Sequence, residues 1–149
     1  MIRPARIEDV ARLVDLGELM HAESPNYRGI PFNREKVAKQ LTMLMTRDGV
    51  VFVSEKDGLV VGGISGGITE YWFSLEKFGF EYAFFLTQEA RHGITALRLQ
   101  RVFKTWCAGQ GVKRFIMGSS TGIATEGTIK FLEATGMELT GHVYTGLTQ

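Results

Sequence analysis

The chain has 149 residues, 44% hydrophobic and 22% charged, the balance of an ordinary globular protein, read here as one domain over residues 1–149. Lys and Arg number 17 against 16 Asp and Glu, so no strong field recruits nucleic acid or a membrane surface. The single cysteine, Cys107, excludes an intrachain disulfide framework and a cysteine-built zinc cluster, and no stretch reaches membrane-span length. With no signal-peptide pattern at the N-terminus, the expected location is the cytoplasm.

Residues 2–5 read as a short strand. Ile7, Val10, Leu13, Val14 and Met20 then recur at helical spacing, with Glu8 and Asp9 favourably placed in the first turn. A polar, turn-rich segment covers residues 21–31. Asn33 is positioned to cap a second helix whose apolar positions include Val37, Leu41 and Leu44. Residues 50–54 form a strand, Lys56-Asp57-Gly58 a tight turn, and Leu59 opens the second strand of a hairpin. The glycines at 62, 63, 66 and 67 predict a bulge or a close backbone approach within it.

Residues 80–86 are almost continuously apolar and aromatic, the pattern of a central strand. Leu99, Val102, Phe103 and Trp106 give the next helix its core stripe, ending near Gly109 or Gly111. Residues 115–117 read as a buried strand, 125–135 as a helix stopped by Gly136, and 143–147 as a closing strand. The order predicts a mixed α/β sheet covered by helices, with two crossovers in its C-terminal half.

Between the central strand and the long helix lies Arg91-His92-Gly93-Ile94-Thr95-Ala96. A strand leading through small residues into a helix N-terminus suits phosphate, because unpaired N–H groups and the positive end of the helix dipole point outward there. Arg91 adds a fixed charge. Alone, the segment also fits an ordinary helix start.

In context, this segment resembles the Arg/Gln-x-x-Gly-x-Gly/Ala signature of the GNAT superfamily of acyl-CoA-dependent N-acyltransferases. Arg91 and Ala96 match, Ile94 occupies a position usually held by glycine, and Gly93 lies one residue earlier. The start Ile2-Arg3-Pro4-Ala5 with Glu8-Asp9, the Asp57-Gly58 turn into Val60-Val61-Gly62-Gly63, and Leu132-Glu133-Ala134-Thr135-Gly136-Met137 extend the resemblance over nearly the whole chain. His21-Ala22-Glu23-Ser24-Pro25, Trp72-Phe73-Ser74 and Ser120-Thr121-Gly122 are similar to a branch of small GNAT proteins from phages and prophages.

The resemblance implies a sheet splayed at its centre, here with a shortened C-terminal strand set, and acetyl-CoA as cosubstrate. The diphosphate is expected on Arg91, His92, Gly93, Ile94, Thr95 and Ala96, and the pantetheine arm along the peptide groups of Phe85 and Leu86. An amine acceptor must lose a proton before it attacks a thioester. Glu81 interrupts the apolar strand, and alternation places it on the face of Ala83 and Phe85. It reads either as the base or water relay, or as a substrate-binding or structural carboxylate. Leu132 occupies the family's usual tyrosine position, leaving Tyr144, or Tyr82, to protonate the thiolate. His21, Glu23 and Tyr27 fall where the acceptor side is expected. The three histidines do not form metal-ligand spacing.

Transfer of acetyl from acetyl-CoA to a small amine or a peptide or protein amine is therefore the leading reading. A non-catalytic acyl-CoA-binding or phage structural protein is the alternative, and a nucleoside-phosphate-binding enzyme a third. The short tract after Met137 is compatible with a homodimer in which another chain completes the sheet.

Overall fold

A computed structural model describes residues 1–91 and 93–149. Its centre is a five-stranded sheet in the order β1 (Ile2–Pro4), β2 (Gly49–Lys56), β3 (Leu59–Glu70), β4 (Lys77–Leu86) and β5 (Phe115–Ile116). The first three junctions are antiparallel and β4–β5 is parallel. The helices are α1 (Val10–Glu23), α2 (Arg34–Met43), α3 (Thr95–Gly109) and α4 (Thr125–Ala134).

Local chemistry sets several boundaries. The Asn33 side chain accepts from the Lys36 N–H at 2.8 Å, satisfying one of the free donors that open α2. Asp57 and Gly58 both adopt positive φ, 53° and 77°, as a two-residue hairpin turn demands. The expected irregularity among the glycines is real: the β3–β4 register shifts between Ser65 and Gly66. A Cβ on Gly66 would lie 2.3 Å from the Phe80 carbonyl oxygen and 2.6 Å from the Phe103 ring.

Two apolar clusters sandwich the sheet. Leu13, Val14 and Leu16 of α1 join Leu41 and Leu44 over Val51, Val53 and Val60 on one face. Leu99, Phe103 and Cys107 of α3 cover Phe52 and Ile64 on the other. Burial of Cys107, 2% exposed, pushes its thiol up to about 11, so it is packing material and not a nucleophile. At the first strand, Arg3 is shared between Asp9 (2.7 Å) and Glu55 (2.7 Å) and holds the Asp9 carboxyl below its usual range.

The C-terminus departs from expectation. Residues 143–147 form no strand, and Val143, Tyr144 and Leu147 are 90%, 89% and 91% exposed. A strand needs a ladder partner, and β5 pairs at only two positions with β4 and has none on its outer side among the described residues. Only one of the two expected crossovers therefore closes, through α3. Among the described residues no helix is long and apolar enough to cross a membrane, and no cluster of three potential metal ligands forms.

Candidate functional site

The β4–β5 ladder consists of Gly79 with Phe115 and Phe80 with Ile116, and then stops. From residue 81 onward β4 continues paired to β3 alone. The two parallel strands thus part into a fork, and the β4 edge inside it offers peptide groups without a strand partner.

Glu81 stands at the vertex. Its carboxylate Oε2 accepts from the Gly118 N–H at 3.2 Å, linking β4 to the loop that leaves β5. Burial raises its pKa to about 7, against the opposing pull of that hydrogen bond. The expected alternation does not hold around it. Tyr82 is the extra residue of the β4 bulge, opposed by no partner between Glu81–Gly66 and Ala83–Ser65. Gly79 faces Cys107 of α3, yet Phe84 and Leu86, of opposite parity, pack in the same α3 cluster, whereas Phe85 packs beneath α1. A shared face for Glu81 and Phe85 cannot be read across this phase change.

Beyond Leu86, the chain makes a short 3-10 turn (Gln88–Ala90) and enters α3 at Thr95, with Ile94 as its cap residue. Among the described residues no side chain caps this end, which leaves its first N–H groups open to a ligand. A Cβ on Gly93 would meet nothing within 4 Å, so protein packing does not require glycine there. A cavity of about 620 Å³ opens beside Gly93 and Thr95, with Arg12, Lys56 and Arg98 on its walls. His92 lies outside the described residues.

Arg91 is already engaged. Its Nε donates to the Leu86 carbonyl at 3.1 Å, and its two terminal nitrogens each donate to a Glu23 oxygen at 2.6 Å. The pairing holds the Glu23 carboxyl below its usual range. Expected at opposite ends of the reaction, these two residues meet at one point.

The segment after Glu23 reaches the other prong of the fork. Ser24, 1% exposed, donates from Oγ to the Thr121 carbonyl and accepts from the Asn26 N–H. Asn26 Nδ2 donates to the Ser120 carbonyl at 2.8 Å, and the Tyr27 and Ser120 hydroxyls lie 3.0 Å apart. His21 stacks on Tyr27 at a centroid distance of 6.1 Å, and its Nε2 is buried without a partner among the described residues. His21, Glu23 and Tyr27 are thus brought to one strap between the β4–α3 and β5–α4 loops. From sequence, Ser24 reads as fixing a turn, and Ser120 and Thr121 as either lining the cofactor cleft or entering a helix; nothing local pairs positions 97 apart.

Tyr144 is not gathered into this site. Its ring lies 6.5 Å from His142 on the exposed C-terminal tract, and it shares no described hydrogen bond with Glu81. Tyr82 is 56% exposed, its ring 5.3 Å from that of Phe80. Leu132 sits half-buried in α4, its carbonyl accepting from Thr135 Oγ at 2.7 Å.

The mixed sheet, its fork and the open start of α3 together define the GNAT fold. An aminoglycoside N-acetyltransferase in complex with CoA matches with a TM-score of 0.78 at 16% identity, over 100% of this chain and 94% of the other. A ribosomal-protein-alanine N-acetyltransferase from Brucella melitensis matches at 0.74 and 14% identity, over 99% of both chains. Glucosamine-6-phosphate N-acetyltransferase from Arabidopsis thaliana gives 0.73 and 17%, over 100% of this chain and 98% of the other. No protein-family model and no curated protein matches the sequence. At these identities the likeness is one of fold.

Proposed function

We propose that this chain, acting as a single domain, transfers an acetyl group from acetyl-CoA to an amine. The observation that carries the reading is the fork: a free β4 edge ending at an uncapped helix N-terminus, in a fold shared with a CoA-bound acetyltransferase. Acetyl-CoA supplies the activated acetyl thioester. The N–H groups from Gly93 to Ala96 suit its diphosphate, with Arg91 and His92 assigned beside them, and the peptide edge at Phe85 and Leu86 suits its pantetheine arm. The Leu86 carbonyl already serves Arg91 on the open side of β4, which leaves the Leu86 N–H there for the arm, since Phe85 shares the parity of Thr87, whose N–H donates to Val61 on the β3 side.

Glu81 is assigned the proton acceptor. Gly118 holds one oxygen, and the other carries no described hydrogen bond. A carboxyl with a pKa of about 7 takes a proton near neutrality, directly or through a water. His21, Glu23 and Tyr27 are assigned to the acceptor side. The neighbours are named for aminoglycoside, ribosomal-protein and amino-sugar acetylation, and a small or protein amine is the acceptor class proposed here.

Tyr144 is retained as the proton donor to the thiolate, and it reaches a site only when its tract docks. The free outer edge of β5 and the exposed apolar side chains of residues 143–147 support a homodimer in which that tract completes a sheet. We place the protein in the cytoplasm, in the phage and prophage branch its motifs resemble.

Calorimetric titration with CoA and acetyl-CoA, followed by mass-spectrometric screening of amines with acetyl-CoA, tests the reading. Binding of neither cosubstrate overturns it. Binding without transfer to any amine favours a non-catalytic acyl-CoA-binding protein, the reading that Leu132 and the exposed Tyr144 support.

A further inference from the structure

An arginine carries five N–H donors. In Arg91, one is spent on the Leu86 carbonyl and two on Glu23, which leaves two directed elsewhere. Glu23 forms no other ion pair among the described residues, and the Gln88 side chain is its remaining polar neighbour. The side chains of Arg91 and Glu23 are 28% and 31% exposed, so an incoming anion and a cation both have access to the pair. Glu23 also ends α1, immediately before the residues that grip Ser120 and Thr121 across the fork. One carboxylate of the strap is therefore neutralised by the arginine that opens the phosphate turn.

We propose that Arg91 is shared between Glu23 and the cosubstrate's diphosphate, so that cosubstrate binding frees Glu23 to receive an acceptor with more than one positive charge. The proposal rests on the acetyl-CoA reading and adds an acceptor class and a coupling to it. Two anions drawing on one guanidinium repel each other, and a cation placed against Glu23 relieves that repulsion. Linkage makes the effect mutual: a polycationic amine raises affinity for CoA by the factor with which CoA raises affinity for the amine.

The test is calorimetry on the full chain, with CoA, with sisomicin as a polycationic amine and with glucosamine-6-phosphate as an amine bearing an anion. Glu23→Gln is expected to bind CoA about tenfold more tightly than the unaltered chain, a typical coupling between sites. Sisomicin is expected to bind about tenfold more tightly once CoA is present, and glucosamine-6-phosphate to show no gain. In Arg91→Gln, Glu23 is permanently released, and sisomicin affinity should no longer respond to CoA. Arg91→Lys keeps the charge without the bidentate fork, so its sisomicin affinity should respond to CoA less than that of the unaltered chain, and it serves if Arg91→Gln fails to fold. If CoA binds but Glu23→Gln stays within about twofold of the unaltered chain, or sisomicin ignores CoA, the sharing is overturned while the acetyl-CoA reading survives. Absence of sisomicin binding with CoA present overturns the acceptor class. Absence of CoA binding to every variant overturns both.

Discussion

Replacing Glu81 by Gln removes the one charge at the vertex of the fork while keeping an oxygen to accept from Gly118. Burial moves this carboxyl from its ordinary 4.5 to about 7. At roughly 1.4 kcal/mol per pH unit, that corresponds to about 3 kcal/mol, and solvent reaching a half-buried group reduces it to about 2. The sign follows from proton counting. Between pH 4.5 and 7 the folded state binds more protons at this site than the unfolded chain, so stability falls as pH rises through that window and levels off above it. The unaltered chain should therefore lose about 2 kcal/mol between pH 4.5 and 8, roughly 4–8 °C in Tm for a domain of this size, and Glu81→Gln should not. Thermal melts of both proteins followed by circular dichroism across this range make the comparison. Parallel profiles would refute the burial argument. Turnover of an acceptor found by screening should drop about 10²–10⁴-fold in the same variant, and rate in the unaltered chain should rise through an apparent pKa near 7.

Other perturbations have equally definite outcomes. Gly66→Ala forces a Cβ against the Phe80 carbonyl and the Phe103 ring, and denaturant unfolding should register a loss of about 3 kcal/mol or more. Ser24→Ala strands the Thr121 carbonyl and the Asn26 N–H, costing about 1–3 kcal/mol in the same assay and raising the KM for acceptor. Arg3→Ala leaves Asp9 and Glu55 without their counter-charge, a loss of about 2–3 kcal/mol at neutral pH that shrinks as acid protonates Asp9. If the proposed homodimer forms through residues 142–149, the unaltered chain should be a dimer in light scattering and the chain lacking them a monomer; a monomeric unaltered chain, or a truncated chain that still dimerises, overturns that interface.

What the sequence made legible was local. The Asn33 cap, the Asp57-Gly58 turn and the glycine-marked bulge each depend on a few adjacent residues, and each appears in the structure. The apolar stripes of α1 and α3 likewise depend only on helical period. Of the candidate site, the strand–turn–helix order was legible, because it depends on a run of adjacent residues.

Failures arose where a partner far along the chain decides. Alternation through residues 80–86 assumed an unbroken ladder, and the bulge at Tyr82 changes its phase. Residues 143–147, read as a closing strand, have no strand to pair with among the described residues. Neither the Glu23–Arg91 pair nor the Ser24–Thr121 contact has a spacing that short-range rules detect.

The brevity of β5 has a mechanical consequence. Two rungs attach the outer prong to the sheet, and Phe115 and Met117 anchor it in the α3 cluster; farther out, its ties include Glu81 to Gly118, the strap to Ser120 and Thr121, Phe84 to Phe131 at 6.0 Å and Gln100 to Met137 at 3.9 Å. β5 is thus fixed at its root, while α4, which has no buried residue, is the less tightly held part of the prong. Beyond the α3 cluster, groove width is set by a handful of side-chain fasteners, so it is softer at the tip of the prong than at its root.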